Sequence, residues 1–186
     1  MMTKRNFGIL LTAALILAAI GTTAWADPKP KPVEPSLIGT WNGADMSAEP
    51  DLAWLAVHTP GSNGTDSGDM VMDWVYVNPD VIGGTEIATR LSPGHGVWKK
   101  TGVGQYAFTW YAYGLNTNTS GVVQPMTAVR VRGVATNIDN DHVSISYYFE
   151  FFGTAVPPHQ MDTAGVTPMY TTTGSAEQWR APLVTP

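Results

Sequence analysis

Residues 106–113, YAFTWYAY, carry aromatic rings on both faces of what the alternation predicts to be one strand: Tyr106, Phe108, Trp110 and Ala112 alternate with Ala107, Thr109, Tyr111 and Tyr113. Successive strand residues point to opposite sides, so neither face of this strand is suited to water. The strand must therefore lie between two apolar environments, either a core and a cover or a barrel interior and a packed exterior. It forms the second half of the stretch 94–116, whose short glycine-containing turn is the sequence form of a hairpin.

The rest of the chain follows the same period. Helical spacing is scarce after residue 36, while period-two runs separated by Gly, Pro, Asn and Asp recur. Strands are predicted over 37–46, 52–59 and 69–77, with a weaker one over 85–91. A long pair follows over 126–138 and 142–152, turned by Asp139-Asn140-Asp141, and a short last strand over 175–182. In the long pair Val129, Val131, Gly133 and Ala135 oppose Arg130 and Arg132, which puts both arginines outside if the small residues point in. The segment 153–174 contains Pro157, Pro158 and Pro168 and lacks strand periodicity, so it is expected to act as a lid or rim at a barrel mouth. Eight or so strands joined mostly by short turns predict a single all-β domain over 37–186, a closed or nearly closed antiparallel up-and-down barrel, with a β-sandwich as the alternative. Closure is favoured because an open meander leaves two edges of unpaired backbone.

The start of the chain is of another kind. Lys4 and Arg5 precede an apolar run over 7–20 and an Ala24-Trp25-Ala26 site, the form of a cleaved secretory signal over 1–26. Residues 27–36, with a proline at nearly every second place, are expected to be an exposed, extended leader. A secreted or periplasmic location follows. The chain has no cysteine, so no disulfide holds the fold. With 10 basic residues against 15 acidic, two of the basic ones, Lys4 and Arg5, in the signal, the charge disfavours nucleic acid and anionic membranes as partners. No membrane association is expected once the signal is removed.

Leu37-Ile38-Gly39-Thr40-Trp41 resembles the Gly-x-Trp signature of the calycin superfamily, the lipocalins and avidins. The segment 95–102, HGVWKKTG, with Tyr106 and Thr109 after it, is similar to uncharacterised secreted bacterial proteins assigned calycin-like barrels. The resemblance implies an eight-stranded barrel whose apolar cavity binds a small molecule; a minority of such barrels, the allene oxide cyclases, are enzymes. It also implies that Trp41 closes one barrel end with Arg180 packed on its ring. The lipocalin cysteine pair, the helix before the last strand and the second lipocalin motif have no counterpart here, so no subfamily's ligand transfers.

Among chemically capable residues, His58, His95, His142 and His159 are scattered without metal-site spacing, and no metal or cofactor is expected. His58 shares a face with Trp54 and could orient a polar ligand group if buried. Asn137, Asp139 and Asp141 alternate like calcium ligands but lack the loop's glycine and distal glutamate, so a hairpin turn explains them. Asp69 and Asp73 share an exposed face. Glu150 sits among Tyr148, Phe149, Phe151 and Phe152; turned inward it would be a carboxyl in an apolar cavity, though the smoother apolar set lies on the opposite face. The expected function is binding of a small, mainly apolar molecule by Trp54, His58, Trp74, Trp110, Tyr147 and Phe149. The alternatives are an isomerase or cyclase with Glu150 or His58 moving a proton, and a filled barrel with a structural or interaction role.

Overall fold

The computed structural model describes residues 36–45, 51–62 and 64–182. The expected signal over 1–26, and all of the proline-rich leader except Ser36, lie outside the described residues. The strands are β1 (Gly39–Asp45), β2 (Leu52–His58), β3 (Ser67–Val77), β4 (Arg90–Leu91), β5 (Gly94–Gly102), β6 (Gln105–Thr117), β7 (Val123–Asn137), β8 (His142–Gly153) and β9 (Tyr170–Arg180).

Every pairing is antiparallel, and the order β6-β5-β3-β2-β1-β9-β8-β7 returns on itself through β6–β7. The result is a closed barrel of eight strands, with the two-residue β4 attached outside it to the end of β6. Closure removes the exposed edges that a sandwich of the same strands would keep. Alternation sorts the two faces. Trp54 and His58 of β2, Phe108 and Trp110 of β6, Val129 and Val131 of β7, and Phe149 and Phe151 of β8 are buried, and all but His58 belong to one apolar core. Arg130 and Arg132 alternate with that set and lie on the outer wall, as the small-inward pattern requires.

The second apolar environment demanded by β6 also exists. Ala128, Phe152 and Met161 form a separate buried cluster against which Tyr111, Val156 and Val166 pack. The segment 154–169 supplies three of these side chains, so it covers the outer wall of β6, β7 and β8. This corrects the expectation of a mouth lid over 153–174. Thr172–Gly174 line a recess at one mouth, and they do so as part of β9, which begins five residues earlier than the alternation suggested. The reason is the composition of the Thr171-Thr172-Thr173-Gly174 run, which pairs with Glu150–Tyr147 of β8 while offering no apolar period to read. The weak strand over 85–91 is corrected too. Gly83 and Gly84 adopt φ of +89° and +64°, conformations that favour glycine, and turn the chain into a single helical turn, Gly84–Ile87. Strand structure resumes only at Arg90–Leu91.

At the opposite end the first and last strands meet. Trp41 pairs with Arg180 across β1 and β9, and the guanidinium carbon stands 4.4 Å from the centre of the Trp41 ring. Arg180 Nη1 donates to Ile38 O and Nη2 to Ser36 O, both at 2.7 Å, while Trp41 Nε1 donates to Leu37 O at 2.7 Å. Gly39, at φ +136°, leaves the space the guanidinium fills. Arginine suits this place because one planar group can stack on the indole and donate along its edge at the same time. Trp41→Ala is expected to lower stability by about 3–5 kcal/mol. Arg180→Ala should cost less, and Arg180→Lys should recover part of that loss. A double-mutant cycle by urea denaturation checks the contact, with a coupling of about 0.5–2 kcal/mol expected.

Candidate functional site

The barrel interior is built on a glycine. Gly43 of β1 pairs with Trp54 on one side and Gln178 of β9 on the other, and a Cβ at Gly43 would run into the Trp54 indole. The missing side chain lets that ring lie across β1. Trp54 meets Trp74 edge-on at 5.6 Å between centroids, and Trp74 meets Trp110 at 5.5 Å and Phe149 at 6.0 Å. Trp74 is thus the hub of four rings, contacts worth roughly 0.5–1.5 kcal/mol each beyond burial. Between them the free interior volume is about 20 Å³, lined by Trp54, His58, Trp74, Tyr147, Phe149 and Gln178 among others. That is room for about one water molecule.

The polar atoms of this interior are not satisfied by the protein. Trp54 Nε1, Trp74 Nε1, Trp110 Nε1, His58 Nδ1 and Gln178 Oε1 are all buried without a hydrogen-bond partner. The contrast with the other core indoles is informative, because Trp41 Nε1 donates to Leu37 O and Trp98 Nε1 to Thr59 O. His58 is 4 % exposed, and burial pushes its pKa down to about 4, so it is neutral at physiological pH.

One end of the interior opens on a recess of about 320 Å³ lined by Asp45, Asp51, Val81, Ile82, Thr172 and Gly174. Leu52, Tyr147 and Phe149 border both spaces. The rim is held by short bonds: Asp45 Oδ2 accepts from the backbone N–H of Asp51 at 2.7 Å and of Leu52 at 2.9 Å, and Asn78 Nδ2 donates to Asp51 Oδ1 at 2.6 Å. Burial, then the nearby carboxylates of Asp45 and Asp51, push the Tyr147 hydroxyl up to about 12. Tyr147 therefore stays protonated, a donor at the junction between recess and interior.

The sequence-predicted residues divide between two places. Trp54, His58, Trp74, Tyr147 and Phe149 converge on the interior, and Trp110 packs beside them against Trp74. Glu150 does not. It faces the outer wall, alternating with Phe149 and Phe151, and receives Arg130 Nε at 2.6 Å, Arg130 Nη2 at 3.1 Å and Arg132 Nη2 at 2.8 Å. Arg130 also donates to Asp162 of the covering segment at 2.8 Å, which fastens that segment to the wall. With both oxygens engaged by guanidinium groups and the barrel wall between it and the interior, Glu150 has a structural place. Asp69 and Asp73 are exposed on β3. His95 and His159 are exposed, and His142 stacks on Trp179 with Nε2 2.7 Å from Glu177 Oε2. Asp139 caps the hairpin turn by accepting from the Asp141 N–H, and among the described residues no cluster of His, Asp or Glu could hold a metal.

Gln178 is the interior residue the sequence reading passed over. Its signal was present in Arg180: if that arginine packs on an inward tryptophan, then Gln178 and Ala176 share its face by period two. Trp179 is accordingly the outward residue, 45 % exposed. No protein-family model, curated protein or solved structure matches the chain.

Two outcomes are expected. His58 has a folded pKa of about 4 against 6.5 when unfolded, so its neutral form supports full stability above pH 6.5. Stability is then lost as pH falls from 6.5 to about 4, by about 3 kcal/mol at 1.36 kcal/mol per pKa unit. Denaturant unfolding at stepped pH should show that slope in the parent and a flatter one in His58→Leu. On the outer wall, Glu150→Gln leaves Arg130 buried against a neutral amide and should destabilise by about 3–5 kcal/mol in the same assay.

Proposed function

We propose that this chain is a secreted or periplasmic small-molecule-binding barrel of calycin-like type, whose ligand enters at the recess and seats against the rings of Trp54, Trp74 and Phe149. The observation that carries this reading is the set of buried, unpartnered polar atoms on the residues that surround an aromatic interior. Each such atom weakens the fold by about 1–3 kcal/mol, a burden that a purely structural core avoids by using apolar residues. A ligand that meets them recovers that loss as binding energy. Entry requires displacement of Tyr147 and Trp74, the latter only half-buried, in a lining that includes the unbranched and adaptable Met70 and Met72. Gly174 stands opposite Tyr147 and keeps the ring free of a facing side chain.

The filled-barrel reading has its own support in the free volume of about 20 Å³, which holds a water but no larger molecule without movement. For an enzyme, His58 is the residue left in the interior with a proton to move. The two main readings separate in one titration. The neutral fluorophore N-phenyl-1-naphthylamine, added to the mature protein, should show saturable one-to-one enhancement. Thr172→Trp, which narrows the recess, should slow its association at least tenfold with no loss of fold by circular dichroism. A folded protein that gives no saturable signal is a filled barrel.

A further inference from the structure

We infer that the interior selects an uncharged aromatic carbonyl compound over alkyl-substituted, acidic or ammonium-bearing aromatics of the same size. This rests on the binding reading above and goes further by assigning the ligand's chemistry. The first observation is the absence of charge: the lining of the interior contains no Asp, Glu, Lys or Arg. An acid or an ammonium group brought there would lose its water with no opposite charge to replace it. His58 offers no remedy, since its burial keeps it neutral down to about pH 4. Acids face a second obstacle at the entrance, where the Asp45 and Asp51 carboxylates line the recess.

The second observation is the imbalance of donors and acceptors. On the residues that line the interior, two indole N–H groups, those of Trp54 and Trp74, lack partners, against one unpartnered amide oxygen, Gln178 Oε1. His58 Nδ1 can serve either way according to tautomer. The ligand must bring acceptors, and it should bring few donors of its own. A carbonyl oxygen meets this requirement, having two lone pairs and no proton. Trp54 and Trp74 stand 5.6 Å apart between ring centroids at 65° and both line the interior, so a molecule lodged there lies beside both rings. A hydroxyl would add a donor for which Gln178 is the one fixed partner. Water, the competitor in this space, brings two donors with its two acceptor sites.

The third observation is shape. Trp54 and Trp110 stand edge-on to Trp74 while Phe149 is tilted against it at 43°, an aromatic wall of the kind that accepts an aromatic plane. The recess of about 320 Å³ is of the size of a two-ring compound, so the carbonyl can lead into the interior while the rings rest between Leu52, Tyr147 and Phe149.

Four naphthalenes of matched size test the assignment by isothermal titration calorimetry on the mature protein at pH 7: 2-acetylnaphthalene, 2-ethylnaphthalene, 2-naphthoate and 2-naphthylmethylamine. The ketone should bind at least tenfold more tightly than the ethyl compound, and both ions more weakly than either. Trp54→Phe, which removes the N–H and keeps a ring, should reduce the ketone's advantage over the ethyl compound at least threefold. Ethyl and acetyl compounds binding equally, or an ion binding best, would overturn the carbonyl assignment and leave the binding function standing. Binding of none of the four by folded protein would overturn both.

Discussion

Closing the sheet is the constraint on which everything else in this structure depends. Eight strands in sequence have two free edges until β1 pairs with β9, and β1 is only seven residues long. The backbone ladder of so short a strand is reinforced by side chains. Arg180 bonds to main-chain oxygens of Ile38 and Ser36, residues separated from it by 142 and 144 positions, and stacks on Trp41 as it does so. The loop entropy of so long a separation is large but grows only slowly with length, so a handful of well-made contacts offsets it. Once the barrel is shut, inside and outside are defined for every strand, and period two distributes the side chains between them.

That distribution produces two polar systems with opposite character. On the outer wall Arg130, Glu150, Arg132 and Asp162 neutralise one another in short, charge-assisted bonds, through which Asp162 ties residues 154–169 to the barrel. Around the interior space the polar side chains are neutral, and the protein leaves Trp54 Nε1, Trp74 Nε1, His58 Nδ1 and Gln178 Oε1 unmatched. The two arrangements lie on the two faces of the same strands: Arg130 alternates with Val129 and Val131, and Glu150 with Phe149 and Phe151. A saturated cluster rigidifies the wall, whereas the unsaturated one is what the proposal of a bound ligand rests on.

Much of this was legible in the sequence because it follows from alternation. The two-faced strand of residues 106–113 demanded a second cover, and residues 154–169 provide it. The interior positions of Trp54, His58, Trp74 and Phe149 follow from their shared faces. The failures have physical causes of the same kind. The threonine run of β9 faces a polar recess, so it had no apolar rhythm to betray a strand. Residues 84–87 turn helically because two glycines redirect the backbone, which a strand propensity does not register. Glu150 was ambiguous because both faces of β8 are rich in aromatic residues; only its register against Arg130 and Arg132, set by the 139–141 turn, decides which way it points. The unmatched indoles could not be read at all, since a tryptophan's partner depends on the rotamer its neighbours allow, and Gly43 is what lets Trp54 lie down.

Whether the unpartnered indole N–H groups take up a ligand's acceptor is tested directly by nitrogen-15 NMR of the indole groups. Trp54, Trp74 and Trp110 should give resonances near the free-indole range that move downfield when 2-acetylnaphthalene is added. Trp41 and Trp98, whose N–H groups already bond to Leu37 and Thr59, should hold still and serve as references within the same spectrum. Movement confined to the first group is the predicted result. Equal movement of all five, or none in the first three at saturating ketone, would contradict it.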